Sequence, residues 1–298
     1  IERRNRDYKL DACFSGSSAI IVRITQGKNC WLFCDSYWLL RDSLARIGES
    51  VGLEKGGKGY RCPDHPACGH EDEHCIFYSP EPLLCDYNAL DCRILWVAVD
   101  RMQRQLNALG GTLHSTIASS AMKLYKTSFL NETVETDSRL NSVFREAYIA
   151  SRVEVFEREC GIAHYYDVNS SFPHSMTAPQ PGTVRAHGRV YREGALSMVD
   201  AEVAVPDCMI PPLPYRIKGR PYFVTGRFRR WFDSADLELL LETGGRIERV
   251  HEVYDFRPTD SLSRYVWTLY ELRRSELDPF LRLVYKYLLN SLYGKFGE

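Results

Sequence analysis

In YYDVNSSFPHSM, residues 165–176, an apolar run ends in a carboxylate that is followed at once by a turn. The apolar run begins near residue 160 and predicts a buried β-strand that ends at Asp167. Residues 169–173 are typical of a turn, since asparagine, serine and proline all favour turns. The pattern therefore predicts a carboxylate at the exposed end of a strand, which suits a catalytic acid. An aspartate that only caps the turn before Pro173 is the alternative interpretation.

A second stretch, KYLLNSLYGKFGE at residues 286–298, has the spacing of a helix that ends at Gly294. Lys286 and Asn290 are four residues apart and share a helical face with Tyr293. A lysine on such a face can bind a triphosphate as a point charge. A glycine beside a tyrosine allows a nucleobase or a backbone to approach closely. The alternative is an ordinary helix end with a solvated lysine.

Composition and charge restrict the class of protein. Lysine plus arginine number 38 and aspartate plus glutamate number 39, so any nucleic-acid groove must be locally basic. No run of about 18 apolar residues occurs, and the first residues, IERRNRDYKLD, are charged. These features predict a soluble intracellular protein without a membrane span.

The ten cysteines have irregular spacing, which favours reduced thiols over a disulfide framework. One cluster, RCPDHPACGHEDEHC at residues 61–75, combines three cysteines with three histidines. It contains no CxxC pair and a single HxxxH pair, His70 and His74, so the sequence leaves open a zinc site or a polar surface loop.

Hydrophobic periodicity divides the chain into two modules. Strand-like runs at residues 17–25 and 29–40 and a loop-like stretch at about 55–82 precede a long helical pattern that ends at Gly110 and Gly111. A further helical pattern leads to the polar segment 131–142, and we place the boundary between the modules near residue 143. Strand-like runs then alternate with loops up to a short helix. Asp233 or Ser234 is its predicted N-cap, and Gly244 its predicted end. The remaining residues are mostly helical.

Together the two opening stretches resemble the family B DNA polymerases, specifically the protein-primed branch of phages, adenoviruses and linear plasmids. Motif A of that branch, DxxSLYP, is matched by DVNSSFP from Asp167, and motif B, KxxxNSxYG, is matched completely from Lys286. The resemblance implies DNA synthesis by two-metal nucleotidyl transfer. Asp167 and the Val168 carbonyl are then metal ligands, with Mg²⁺ as the metal and Mn²⁺ as the alternative.

The same resemblance implies a site for deoxynucleoside triphosphates. Lys286 would bind the triphosphate, and Phe172 would replace the usual tyrosine as the steric gate that excludes ribose. The residues predicted to bind the nucleotide are Ser170, Ser171, Phe172, Arg273, Arg274, Lys286, Asn290, Tyr293 and Gly294.

Two further segments extend the resemblance. Tyr87 and Asp91 fit the YxxxD motif of the family's 3′–5′ exonuclease, in which the aspartate binds metal and the tyrosine orients water. The preceding CDSYWLLRDSL, residues 34–44, resembles the family's DS…SL segment.

AYIASRVEVF, residues 147–156, occupies the place of the family's YxGG segment that contacts template DNA. It keeps Tyr148 and Arg152, whereas Ala150 and Ser151 replace the glycines. Together with Lys295, Tyr148 and Arg152 are the predicted DNA-binding residues.

The basic stretch GRPYFVTGRFRRWF, residues 219–232, is a further candidate for phosphate contacts. The alternatives are a solvated basic hairpin, or the insertion that holds a priming protein in this branch.

The resemblance implies a fold class of α/β and α+β. We expect a partial RNase H-like exonuclease domain over residues 1–143 and a partial polymerase domain over residues 144–298. The latter would comprise an antiparallel palm sheet with helices, an insertion at about 183–262 and the start of the fingers at about 263–298. Expected partners are a DNA primer-template and, as an alternative primer, a terminal protein.

The family's first two exonuclease motifs and its DTDS motif have no match in the sequence. The two TDS sequences, at 136–138 and 259–261, precede motif B and are predicted turns or caps. We therefore expect an internal fragment in which neither catalytic centre is complete. The alternatives are a non-catalytic DNA-binding relic and a nuclease that uses only Tyr87 and Asp91.

Overall fold

The computed structural model describes residues 8–15, 18–55, 81–131, 137–149 and 152–296. The predicted zinc cluster at 61–75 lies outside these residues. The chain divides into two compact units, Ile1–Phe129 with Tyr265–Phe296, and Leu130–Arg264. This division differs from the predicted one, because the C-terminal helical segment groups with the first unit. The assignment of exonuclease and polymerase domains stays a prediction.

The first unit begins with a three-stranded antiparallel sheet in the order β1-β2-β3. Its strands are β1 (Lys9–Ser15), β2 (Ser18–Gln26) and β3 (Asn29–Cys34). A tight turn joins β2 to β3 at Gly27, whose φ of 57° glycine adopts without steric cost. The apolar runs that predicted β2 and β3 are confirmed as strands, whereas β1 was not predicted.

Helices complete the first unit. They are α1 (Leu44–Val51), α2 (Glu81–Ala108), α3 (Ile117–Ser128), the part of α7 (Ser261–Ser275) that follows Arg264, and α8 (Pro279–Lys295). α2 buries a row of residues spaced four apart, which places them on one helical face. This row consists of Ile94, Ala98, Met102 and Leu106. As predicted, α2 ends just before Gly110, whose φ is 84°.

The second unit is built on a four-stranded antiparallel sheet in the order β4-β9-β5-β8. The strands are β4 (Gln180–Gly188), β5 (Ser197–Val205), β8 (Gly226–Asp233) and β9 (Arg246–Thr259). A hairpin of β6 (Pro214–Ile217) and β7 (Arg220–Phe223) lies between β5 and β8 in the chain. The helices are α4 (Ser138–Ala147), α5 (Ser171–Ser175) and α6 (Ser234–Glu242).

The two faces of this sheet differ. One face carries an apolar core that includes Val199, Phe232 and, from α6, Leu240. The other face packs Met198 and Tyr254 against α4 at one end and is charged over the rest. Helices and antiparallel sheets thus occur in both units, which confirms the predicted mixture of α and β structure.

Local signals at α6 and α4 are also confirmed. The Asp233 carboxylate accepts a hydrogen bond from the Asp236 amide at 2.7 Å, and Gly244 with φ 82° follows the helix. The Asp137 carboxylate caps α4 by accepting from the amides of Arg139 and Leu140. The TDS sequence that contains Asp137 is therefore a cap, as predicted.

The predicted strand over residues 160–168 is wrong. These residues pair with no strand in the described part of the chain. Tyr165 and Tyr166 are 92% and 87% exposed, so neither is buried by a sheet. An apolar run becomes a strand only where a neighbour satisfies its backbone groups, and the described residues provide none here.

Candidate functional site

The motif A segment forms a turn followed by the short helix α5. Asp167 is exposed at the start of the turn, and the Val168 carbonyl accepts a hydrogen bond from the Ser171 amide at 3.3 Å. Ser170 adopts a left-handed conformation with φ 57° and ψ 37°. This costs a non-glycine residue roughly 1–2 kcal/mol, and such strain is concentrated at functional sites.

The segment thus supplies two hard oxygen donors from neighbouring residues, the Asp167 carboxylate and the Val168 carbonyl. Oxygen donors of this kind suit Mg²⁺ or Mn²⁺. Among the residues that the structure describes, no group of three or more histidine, cysteine, aspartate or glutamate side chains could hold a metal ion. The donor chemistry fits a divalent cation, for which these two residues would supply only part of a ligand set.

The nucleotide-binding residues predicted on α8 share an exposed face. Lys286, Asn290 and Gly294 are exposed at spacings of four, and Tyr293 beside them is half-buried. The sequence analysis missed Arg282, which is exposed one turn earlier on the same row. Its position four residues before Lys286 was the signal that could have found it.

Contacts on the opposite side of α8 fix the direction in which this row points. The Tyr265 hydroxyl donates to the Leu288 carbonyl at 2.9 Å. Gln105 of α2 donates to the Tyr285 hydroxyl at 2.7 Å, and burial raises the pKa of Tyr285. Asp278 caps the start of α8 and pairs with Arg101 of α2. The buried face thus holds the helix while the Lys286 face stays in solvent.

The other basic residues predicted near the nucleotide have less freedom. Arg274, in the last turn of α7, pairs with Glu271 at 2.8 Å, and Arg273 is half-buried. Lys295 lies in the last turn of α8, where a cation is favoured by the helix dipole.

The predicted exonuclease pair lies on α2 and is joined by a residue that the sequence analysis missed. The Lys55 ammonium lies 3.5 Å from the Asp91 carboxylate and 5.1 Å from the centre of the Tyr87 ring. A hydrogen bond with the Tyr87 hydroxyl, assisted by Asp91, raises the pKa of Lys55. The second carboxylate oxygen of Asp91, Oδ1, is buried without a hydrogen-bond partner among the described residues. An orphaned buried carboxylate oxygen suits a metal ligand.

Lys55 is far from Tyr87 in the chain, and it opens a stretch rich in glycine, proline and charge that predicted only a loop. Periodicity therefore gave no reason to connect it with α2. The lysine that precedes two glycines was the only local signal.

The predicted template-contact segment is engaged within its own unit. The Arg152 guanidinium donates to Glu154 at 2.7 Å and to the Pro211 carbonyl at 2.8 Å, and it lies 4.0 Å from the centre of the Phe223 ring. The Tyr148 carbonyl accepts from Arg216, and its ring is exposed. Ala150 and Ser151 lie outside the described residues. Any DNA contact by Arg152 would replace these partners.

The basic stretch at 219–232 is not a uniform basic face, because its first part forms β7 of the exposed hairpin and the rest forms β8 of the four-stranded sheet. Successive residues of β8 point to opposite faces, so the Arg230 side chain is only 7% exposed and pairs with Asp236 at 2.5 Å. Burial lowers the pKa of Arg230 and raises that of Asp236. Arg229 and Arg227 remain on the charged face and pair with Asp200 and Glu248.

Among the described residues, no helix is sufficiently long and apolar to cross a membrane.

Two curated fungal proteins are similar to this chain. A "Probable DNA polymerase" of Ascobolus immersus is 26% identical over 230 residues, which is 72% of this chain and 19% of that protein. A "Probable DNA polymerase" of Podospora anserina is 29% identical over 194 residues, which is 61% of this chain and 16% of that protein. The chain therefore spans less than a fifth of the length of these two relatives.

A solved structure supports the fold. Phi29 DNA polymerase complexed with primer-template DNA and incoming nucleotide substrates superposes with a TM-score of 0.70 at 18% identity. The superposition covers 96% of this chain and 54% of the other. At this level of identity, the similarity establishes a shared fold.

The profile of one protein family, described as DNA polymerase type B, organellar and viral, matches residues 78–298. The matched range contains motif A, motif B and the Tyr87–Asp91 pair. The family B resemblance read from the motifs is thereby confirmed, and the chain belongs to the organellar and viral type B DNA polymerases.

Proposed function

We propose that this chain forms part of a template-directed DNA polymerase, to which it supplies a nucleotide-binding face and one catalytic carboxylate. The exposed row of Arg282, Lys286, Asn290 and Gly294 on α8 carries the proposal. A line of two cations, an amide and a glycine suits a triphosphate followed by a nucleobase. The proposed substrates are deoxynucleoside triphosphates and a DNA primer-template.

In this proposal, Lys286 and Arg282 hold the triphosphate, and Asn290 and Tyr293 contact the nascent base pair. The space beside Gly294 supports this assignment. A Cβ atom added at Gly294 would meet no atom within 4 Å, so the fold itself does not require glycine there. The requirement for glycine would come from a nucleotide or a DNA backbone that approaches the helix.

Asp167 and the Val168 carbonyl are proposed to hold a divalent cation. Such a cation activates the attacking hydroxyl and neutralises charge on the leaving phosphate. Phe172, exposed in the adjoining helix α5, is proposed to exclude ribose by the bulk of its ring. The remaining metal ligands would come from parts of the protein other than those described.

We also propose an associated 3′–5′ exonuclease to which α2 contributes. The buried, unpartnered Asp91 oxygen supports a metal-ligand role, and the contact of Tyr87 with Lys55 supports a fixed position for its hydroxyl. Lys55 would neutralise and orient Asp91 when the metal is absent. A nuclease that uses Tyr87 and Asp91 alone is disfavoured, because one carboxylate rarely suffices for two metals.

The chain is proposed to be a fragment of a longer polymerase, which agrees with the small share of its relatives that it spans. A terminal protein is the proposed alternative to a DNA primer. The second candidate function is a DNA-binding relic that no longer catalyses, since the described residues supply only part of a metal site.

The proposal is tested by primer extension with the complete protein, in which the Lys286→Ala variant is compared with the unsubstituted protein. A charged hydrogen bond contributes about 1.5–3 kcal/mol, so kcat/KM for the nucleotide should fall about 10- to 150-fold. Lys123→Ala, an exposed lysine in the middle of α3, is the matched control and should stay within about twofold. Equal values for the two variants would refute the assignment of Lys286. DNA binding without any extension by the unsubstituted protein would support the relic.

A further inference from the structure

The charged face of the second unit contains a cavity that no sequence motif indicates. Its volume is about 320 Å³. Its charged and polar lining consists of Arg189, Asp200, Arg229, Arg249, His251 and Glu252. Three arginines thus face one cavity with two carboxylates and one histidine.

Strand register explains how these side chains meet. Glu202 of β5 lies directly opposite Arg229 of β8 on one side and Arg249 of β9 on the other. Directly opposed residues point to the same face of a sheet, so the two arginines flank a single glutamate. Arg189, which follows β4, closes the third side of the cavity.

The carboxylates of this face are already paired. The Asp200 carboxylate accepts from Arg229 Nε at 2.8 Å and Nη2 at 2.5 Å, which holds that guanidinium in one orientation. Glu202 pairs with His251 at 2.8 Å, and Glu252 pairs with Arg139 at 2.5 Å.

Arg189 and Arg249 are exposed, and their guanidinium groups pair with no carboxylate among the described residues. Two unpaired cations beside a third, fixed cation repel one another unless an anion lies between them. Guanidinium groups match the oxygens of a phosphate in geometry, and their weak hydration lowers the cost of removing water.

We propose that this cavity binds a phosphate group of a nucleic-acid strand, with Arg189 and Arg249 as the contacting residues and Arg229 as a fixed third cation. The choice of nucleic acid rests on the proposed function. The cavity accommodates a compact anion, and its arginines come from separate strands that converge on one point. An acidic protein segment would instead need cations spread along its length.

The salt dependence of DNA binding by the complete protein tests this site. The double variant R189Q/R249Q is compared with Arg185→Gln, an exposed arginine of β4 outside the cavity. Binding of a fluorescent oligonucleotide is measured from 50 to 200 mM salt without divalent metal or nucleotides. Each lost phosphate contact reduces the slope of log K against log salt by about 0.7–0.9. Because the two arginines share one phosphate, the double variant should lose about threefold less affinity than the unsubstituted protein over this fourfold salt range.

Arg185→Gln should keep the slope of the unsubstituted protein. A double variant with that same slope would overturn the proposal. Competition by polyglutamate but not by oligonucleotide would also overturn it, because the site would then belong to an acidic protein. Inorganic phosphate, added at matched ionic strength, tests whether the site binds a free anion instead of a nucleic-acid strand. If phosphate binds and the double variant keeps the slope of log K against log salt for the oligonucleotide, the site does not bind a strand.

Primer extension is measured separately on the same proteins. If the unsubstituted protein extends a primer and the double variant keeps the same salt slope, the phosphate site in the cavity is refuted but the proposed polymerase is not. If the double variant has a reduced salt slope and the unsubstituted protein extends no primer, the phosphate site is supported and the proposed polymerase is not.

Discussion

Removing one hydroxyl oxygen from each of two tyrosines should change stability in opposite directions. The Tyr265 side chain is 0% exposed, and its hydroxyl donates to the Leu288 carbonyl at 2.9 Å. Tyr265→Phe should lower the free energy of unfolding by about 1 kcal/mol, the net value of a neutral hydrogen bond. The Tyr191 hydroxyl oxygen is buried but has no hydrogen-bond partner among the described residues. Tyr191→Phe removes a desolvated group and should raise the free energy of unfolding by about 1 kcal/mol.

The Tyr191 variant should also change the dependence of stability on alkaline pH. Burial, with a smaller contribution from Glu238 and Glu193, raises the pKa of Tyr191 from 10.0 to about 12. The unfolded chain therefore loses this proton first, so ionisation of Tyr191 leaves the stability unchanged below about pH 10 and lowers it as the pH rises from 10 to about 12. Because Tyr191 is only half-buried, we expect about 1–2 kcal/mol rather than the full 2.7.

Urea unfolding at pH 8 and at pH 11.5 measures both effects. Each variant is monitored by hydrogen exchange of amides within its own unit, because the two units need not unfold together. Equal destabilisation by both variants would show that ring packing, and not the hydroxyl partner, determines the change. An unchanged alkaline loss in Tyr191→Phe would refute the assignment of that loss to Tyr191.

Three further predictions concern the proposed activities of the complete protein. Asp167→Ala should abolish primer extension while changing DNA affinity less than about threefold, and extension at the normal rate would contradict a metal-ligand role. Phe172→Val should admit ribonucleotides, because less bulk faces the 2′-hydroxyl. Single-nucleotide incorporation measures this, and unchanged discrimination between deoxyribose and ribose would exclude Phe172 as the steric gate. Lys55→Met should slow 3′-end degradation at least about tenfold, because Asp91 loses its ion-pair partner at 3.5 Å. Primer extension should not change, and equal loss of both activities would indicate misfolding instead.

Local chemistry made several features of this protein predictable. The N-cap at Asp233 and the end of α2 before Gly110 follow from hydrogen bonds and backbone conformations within a few residues. The shared face of Lys286 and Asn290 follows from helical spacing alone. The motifs around Asp167 and Lys286 identified the family, because they occur in the right order with a complete motif B.

The helix caps and the exposed face of α8 follow from the amino-acid sequence alone, since each depends on residues close together in the chain, and the family follows from motifs that are themselves short and local. Which cations are buried in ion pairs and which line a cavity depends on the tertiary structure. Arg229 and Arg230 are adjacent in the sequence. Arg230 is buried against Asp236, whereas Arg229 lines a cavity together with Arg249. Strand register and burial determine that difference, and both depend on pairing between residues far apart in the chain. The same reason explains why the apolar run before Asp167, unpaired among the described residues, is not a strand.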